Sequence, residues 1–375
     1  MKGRQPLVGF LRAKPLNSRL LFNRTDGNFF GEVKMKLAVL TFSQSYNYGA
    51  LLQSYALQKI LCRLGHEALL IRIGEPPQPK TLKYKLKNLL EYKRQKAYHE
   101  FLHNHLTFYE TVITPENVYI LNSVFDGFIS GSDQVWNMKN GIDPIFFQKF
   151  VGKDKLKMSY SASIGLNTIP EPYLEESIRL INNFNYVSVR ELSALRLLRQ
   201  YTPRKLYCHI DPVFLLDKSE WDNLIENPIE QKNYIFVYGT QMSETLKHFA
   251  ENLHQKTGLP LISVFPLKNA KVVGGVIGCK EFVSYIKNAD YVITSSFHCT
   301  AFSMIYQKRV FDIPHSETFS RTEDLLSIFE QSDCIIKNSD DEVKSVWNFS
   351  QNETIISNLQ KSAFVYLKTI DKFGI

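Results

Sequence analysis

The chain has 375 residues, 44% of them hydrophobic and 13% aromatic, with a formal net charge of +8; at roughly 100–200 residues per domain this supplies two cores, and so a cleft between them. Its five cysteines are scattered without a C-x-x-C pair, which excludes a zinc ribbon, a redox dithiol and a disulfide framework and predicts the reduced thiols of a cytoplasmic protein. Without an apolar run near the ~20 residues of a membrane-spanning helix, and with the stretch Leu7–Leu11 too short for a secretory signal, neither a membrane span nor export by that route is expected.

In chain order, residues 1–34 come first: seven cationic against two acidic side chains, with Pro6, Pro15, Gly27 and Gly31 breaking any periodicity. They predict a basic extension without ordered structure, the fold proper starting at Met35. A second basic run lies at residues 78–100, and the remainder of the chain sums to −2. Neither run carries the aromatic-plus-basic pattern of a nucleic-acid module, so no nucleic-acid partner is expected. Both read as solvated faces, or as patches drawn to anionic headgroups in a peripheral membrane association at the inner face of the membrane.

From Met35 onward, short β-branched runs alternate with longer helical patterns, the signature of parallel sheets covered by helices on both faces. The predicted strands of the first half are Leu37–Phe42, Ala68–Ile73, Val124–Ser130, Lys157–Ser161, Tyr186–Val189 and Leu206–Ile210. Those of the second half are Tyr234–Tyr238, Leu261–Phe265, Tyr291–Thr294 and Val310–Ile313. A polar stretch with Pro228 separates the halves, giving Rossmann-like domains over 35–225 and 226–375, the latter ending in a C-terminal helix. A helix between Gly49 and Gly65, with apolar positions Leu51, Leu52, Tyr55, Ala56, Ile60 and Leu61, completes the opening βα unit.

Ligands of doubly wound sheets gather at the carboxyl ends of strands, so the loops after each strand are the informative ones. After the first strand, Asn47 and Gly49 open a helix whose N-terminal N–H groups suit an anion, or else simply form a capped turn. After the third come Ser132, Asp133, Gln134 and Trp136, polar groups beside an indole, a set that suits a sugar unless Asp133 is a cap and Trp136 is core. Ser163 leaves the next strand; Arg190 and Glu191 follow another, as an anion-binding fork or as an internal salt bridge. Asp211 stands before Pro212 at the last strand end of the half, and in the second half Ser295, Ser296 and His298 run from a strand into an apolar helix.

Together, S-Y-N-Y-G-A-L-L-Q-S-Y-A-L from Ser45, F-D-G-F-I-S-G-S-D-Q-V-W-N from Phe125, Y-S-A-S-I-G from Tyr160, V-S-V-R-E from Val187, D-P-V-F-L-L from Asp211 and S-S-F-H-C-T-A-F-S from Ser295 resemble the polysaccharide pyruvyl transferase family over about Met35 to Leu326. The resemblance implies an α/β fold of two Rossmann-like domains facing across a cleft, GT-B-like, and transfer of a pyruvyl group from phosphoenolpyruvate to a sugar or lipid-linked oligosaccharide as a ketal; no metal cluster is readable in the sequence, so a metal-independent reaction without a further cofactor is expected. Arg190 and His298 match the family's arginine and histidine. Ser296 stands where many members carry arginine, and Cys299 where they carry glycine; the first change removes an anion contact unless Lys308, Arg309 or Arg321 replaces it.

On this reading Arg190, Ser295, Ser296 and a helix N-terminus hold phosphate and carboxylate, His298 protonates the enol carbon, and Asp133 or Asp211 takes the proton of the attacking hydroxyl. Two alternatives stand beside it: a glycosyltransferase using a nucleotide sugar, and a non-catalytic carbohydrate-binding or assembly protein.

Overall fold

The computed structural model describes residues 34–74, 92–225, 229–239, 241–313, 319–339, 341 and 346–373. The expected basic extension, Lys34 aside, and most of the second lysine-rich run lie outside them. In Lys36–Leu40 (β1) Leu37, Ala38, Val39 and Leu40 are all buried, as a central parallel strand covered on both faces requires. Asn47 then caps Tyr48–Arg63 (α1) by accepting from the Ala50 N–H at 3.2 Å, and Gly65, at φ +93°, turns the chain into Glu67–Ile73 (β2).

Tyr92–His105 (α2), Phe108–Ile113 (β3), Gly127–Ser130 (β4) and Leu156–Ser159 (β5) complete a parallel sheet of order β3-β2-β1-β4-β5. Glu171–Asn182 (α3), Ser188–Val189 (β6), Leu192–Arg199 (α4), Tyr207–Cys208 (β7) and Lys218–Leu224 (α5) follow.

The second half repeats the plan. Ile235–Tyr238 (β8), Glu244–Thr257 (α6), Leu261–Ser263 (β9), Ala270–Val272 (β10), Cys279–Asn288 (α7), Tyr291–Thr294 (β11), Phe297–Ile305 (α8), Arg309–Asp312 (β12) and Phe319–Ile328 (α9) build a parallel sheet of order β10-β9-β8-β11-β12. Each half therefore has its first strand in the centre and reverses strand order beside it, the Rossmann arrangement that opens a crevice at the carboxyl ends. Asn352–Leu367 (α10) is the C-terminal helix.

Five expectations change. β3 and β10 were not foreseen, because both are edge strands whose mixed polar sequences, FYETVI and AKV, are partly exposed. The predicted strands at 186–189 and 206–210 shrink to the two-residue β6 and β7, which pair with each other and join β5 only through the single bridges Met158↔Tyr186 and Ala162↔Val189. Ser161, at φ 56°, turns the chain out of the β5 ladder and ends that strand two residues early.

The halves are packed together. Tyr48 of α1 stacks on Phe282 of α7 at 4.5 Å and meets Tyr238 at 5.7 Å. Asp324 of α9 accepts from both the N–H and the hydroxyl of Ser193 at 2.8 Å, holding the first turn of α4. α10 crosses back to the first half, where the Tyr366 hydroxyl donates to Ser159 O at 2.8 Å and Gln360 to Phe214 O at 2.8 Å. One buried apolar cluster runs through both sheets. Among the described residues no helix is long and apolar enough to cross a membrane.

Candidate active site

The carboxyl ends of β4, β5 and β6 bring Ser132, Ser163, Arg190 and Glu191 to one place. Two of the turns involved are left-handed at non-glycine residues, Asp133 at φ 75° and Ser161 at φ 56°, and such backbone persists only where surrounding bonds hold it. Here they do: the Asp133 carboxylate accepts from the Gln134 N–H at 2.8 Å, and the Asp133 carbonyl accepts from the Ser163 N–H at 2.9 Å.

Arg190 is 5% exposed, and its guanidinium is gripped on two sides. Nε donates to Glu191 Oε1 at 2.9 Å and Nη1 to Asp211 Oδ2 at 3.1 Å, while the Phe297 ring of α8 covers the guanidinium at 3.9 Å. Nη2 is buried without a partner. Burial works against the cation, but Glu191, Asp211 and Asp133 outweigh it and push its pKa above the ordinary arginine value. Glu191 Oε1 also accepts from the Ser163 hydroxyl at 2.6 Å, leaving Oε2 buried and unpartnered.

Asp211 is fully buried, and its bonds use both oxygens. Oδ1 accepts from the Val213 N–H at 3.1 Å, Oδ2 from the Ser132 hydroxyl at 2.7 Å, and His298 Nε2 of the other half stands 3.5 Å from Oδ2. Burial alone would raise its pKa; His298, Arg190 and Ser132 hold it far below the usual carboxylate range instead. An acid so firmly ionised and occupied makes a poor base, so the geometry gives Asp211 to His298 as its carboxylate partner rather than to a substrate hydroxyl.

His298 sits in the first turn of α8, whose cap is Ser296, and the imidazole lies directly against Gly49: a Cβ built there would fall 2.2 Å from Nδ1. Its Nε2 is at ion-pair rather than hydrogen-bond distance from Asp211 and has no hydrogen-bond partner. Ser296 accepts from the Cys299 N–H at 3.5 Å and Ser295 donates to Gln241 O at 3.4 Å, so both hydroxyls serve the local turn. Burial raises the Cys299 thiol well above its ordinary value, leaving it inert.

Of the three cations expected to replace the missing arginine, only Arg321 of α9 reaches this cluster. Arg309 lies at the opposite end of β12 over the Tyr291 ring, and Lys308 precedes it. Burial and the neighbouring Arg190 lower the Arg321 pKa, opposed by Glu191, Asp133 and Asp312. With the Gln134 amide oriented to satisfy its neighbours, its oxygen accepts from Arg321 Nη1 at 2.9 Å and Nη2 at 3.2 Å, while Nε is buried without a partner.

Trp136 is corrected. It is fully buried, donates to Phe146 O at 3.2 Å, stacks on Phe147 and meets Phe184 edge-on, so it is core and offers no face to a sugar. Asn47 acts as the α1 cap, and Gly49 makes room for His298. Phe297, Thr300, Asp312 and Asp324 were missed. Asp312 follows the rule that found Asp211, a carboxylate at the carboxyl end of a strand; Phe297 and Asp324 carry no such signal. Among the described residues no group of three or more His, Cys, Asp or Glu side chains is set to hold a metal ion.

The sequence profile of polysaccharide pyruvyl transferases matches residues 47–317. No curated protein matches the chain. Among solved structures, UDP-GlcNAc 2-epimerase of Methanocaldococcus jannaschii, in complex with UDP-GlcNAc and UDP, is similar with TM-score 0.49 and 12% identity over 87% of this chain and 100% of that one. The UDP-GlcNAc 2-epimerase of Neisseria meningitidis, bound to UDP-GlcNAc, has TM-score 0.48 and 11% identity over 89% and 93% of the two chains. An alpha-glucosyltransferase in complex with UDP and a 13-mer DNA has TM-score 0.43 and 7% identity over 92% and 95%. At these identities none of the three bears on what this chain binds. The family profile, by contrast, covers most of the chain, including the loops that carry Arg190, Asp211 and His298 though neither β1 nor Arg321, and the chain belongs to the polysaccharide pyruvyl transferase family.

Proposed function

We propose that the protein moves a pyruvyl group from phosphoenolpyruvate to a sugar of a polysaccharide or its lipid-linked precursor, forming a ketal. The observation that carries this is the meeting of two guanidiniums, Arg190 buried and Arg321 half-buried, each with an unpartnered buried nitrogen, near a histidine with an unpartnered Nε2. Two cations in a low-dielectric site repel, and a small polyanion with carboxylate and phosphate relieves that repulsion. Arg190 is already shared with two carboxylates, so Arg321 is the more available anion ligand.

In this mechanism His298, paired with Asp211 at 3.5 Å, delivers a proton to C3 of the enol, and C2 becomes electrophilic. A sugar hydroxyl attacks C2 and loses its proton to Asp133. Phosphate then departs with the C–O bonding pair, and a second hydroxyl closes the ketal, releasing its proton. General acid–base help of this kind supplies about 10²–10⁴-fold, with the fixed cations contributing charge stabilisation. We place the reaction in the cytoplasm on the strength of the scattered cysteines, and near anionic lipid on the strength of the basic runs at 1–34 and 78–100; exopolysaccharide or capsule synthesis follows from the family alone.

Calorimetric titration with phosphoenolpyruvate, beside uridine and guanosine diphosphate sugars, tests the donor. Saturable phosphoenolpyruvate binding that weakens at least tenfold in Arg321→Ala supports the reading; binding of a nucleotide sugar with none of phosphoenolpyruvate overturns it.

A further inference from the structure

Asp312 ends β12 with its side chain fully buried, and none of the described residues stands at ion-pair distance from it. The groups around it are Thr300 and Cys299 of α8, Thr294 of β11, Arg321 and Thr322 of α9, and the backbone of Ile335 and Ile336. Its Oδ2 is hydrogen-bonded to Thr300 Oγ1, which also lies 3.2 Å from the Ser296 carbonyl; the Thr322 side chain also favours the charged carboxylate, yet Oδ1 is buried with no partner at hydrogen-bond distance. A threonine hydroxyl has one proton. With Asp312 ionised, Thr300 must leave one of its two acceptors without it, and Oδ1 is an orphaned carboxylate oxygen. With Asp312 protonated, the acid donates to Thr300, Thr300 donates to Ser296 O, and Oδ1 is an uncharged carbonyl oxygen that costs far less to leave bare.

We propose that Asp312 works as a neutral carboxylic acid, a positioning residue whose proton runs through Thr300 to Ser296 and fixes the first turn of α8, the turn that carries His298. Burial pushes its pKa up to about 7, against the opposing pull of Thr300, Thr322 and Arg321. The site then holds two buried aspartates of opposite kind: Asp211, kept ionised for His298, and Asp312, kept protonated for the helix that bears it. This goes beyond the donor and acceptor assignments above.

The folded carboxyl titrates at about 7 and its unfolded counterpart at 3.8, so between those values the native state holds one proton more than the unfolded chain. Its contribution to stability therefore falls as pH rises through that window and is lost above it. Asparagine keeps the neutral, donating form at every pH.

The test compares the full chain with Asp312→Asn, Asp312→Ala and Thr300→Val. Thermal unfolding across pH 4–8 is expected to show Asp312→Asn level with the parent at the acid end and increasingly more stable toward the alkaline end. Infrared spectra at pH 6 should contain a protonated-carboxylic-acid carbonyl band that Asp312→Asn lacks. Phosphoenolpyruvate binding should persist in Asp312→Asn, without the parent's weakening above pH 7, and fall about tenfold in Asp312→Ala and Thr300→Val, as loss of one buried hydrogen bond allows. A folded Asp312→Asn that binds as poorly as Asp312→Ala, or a missing band with a pH-independent stability difference, overturns the proposal. The first two readouts do not depend on which donor the site takes, so a chain that fails to bind phosphoenolpyruvate refutes the functional reading while leaving Asp312 decided.

Discussion

Gly49 lies so close to His298 that a Cβ on the glycine would sit 2.2 Å from Nδ1 and 2.3 Å from Cγ. The helix of one half thus ends flush against the imidazole of the other, and the absence of a side chain at residue 49 sets the place of the ring. Gly49→Ala is expected to push the imidazole off Asp211. Overpacking of this kind costs about 1–3 kcal/mol of stability, and a displacement of about 1 Å at a reacting group costs on the order of 10²-fold in rate. Thermal unfolding and single-turnover rates measured together check this: a variant with lowered stability and an unchanged rate would mean that His298 does not need its present position.

The two arginines predict different failures. Arg190→Ala strands Glu191 and Asp211, both buried, and leaving a buried charge uncompensated costs about 3–5 kcal/mol; this variant is expected to be poorly folded. Arg321→Ala removes a cation that the structure ties to Gln134 but to no carboxylate at ion-pair distance among the described residues. It should fold normally and lose donor affinity by about tenfold to a hundredfold, the value of a charge-assisted hydrogen bond of about 1.5–3 kcal/mol. Circular dichroism and calorimetry on both variants separate the cases; equal affinity in Arg321→Ala and the parent would remove Arg321 from the site.

The alternation of apolar runs made both sheet centres legible, because β1, β4, β8 and β11 are buried on both faces and their sequences are nearly pure hydrocarbon. The edges were not legible: β3 and β10 are specified by pairing with a neighbour, which leaves little trace in a half-exposed sequence. At the site, strand-end polar residues were readable one at a time. Their division of labour was not, since whether Asp211 is a base or the partner of His298 depends on a contact between residues 87 positions apart that no local pattern encodes. The choice between stacking platform and core for Trp136 is of the same kind.

Trp136 gives the third prediction. Its ring is enclosed by Phe147 and Phe184, and its N–H is bonded to the Phe146 carbonyl. Trp136→Phe keeps most of the packing and loses one buried hydrogen bond, a change expected to cost about 1–3 kcal/mol of stability with acceptor KM unchanged. Chemical denaturation and acceptor kinetics check it; a KM raised severalfold without loss of stability would return the indole to the substrate side of the loop.

Asp211 sets the acid limit of the fold. Burial opposes its charge, yet His298, Arg190 and Ser132 keep its folded pKa far below the value of 3.8 that it has when unfolded. The unfolded chain therefore binds the proton first as pH falls, so the stability Asp211 contributes is intact above about pH 4 and drains away below it. Asp211→Asn forgoes that contribution at every pH. The parent should be the more stable of the two at pH 6–7 and the gap should narrow steadily as pH drops from about 4 toward 2. Unfolding midpoints of both proteins across that range decide the matter: a gap that holds constant into acid would show that the Asp211 carboxylate is not the group whose protonation loosens the two halves, and the buried Glu191, which shares Arg190 with it, would become the next carboxylate to replace.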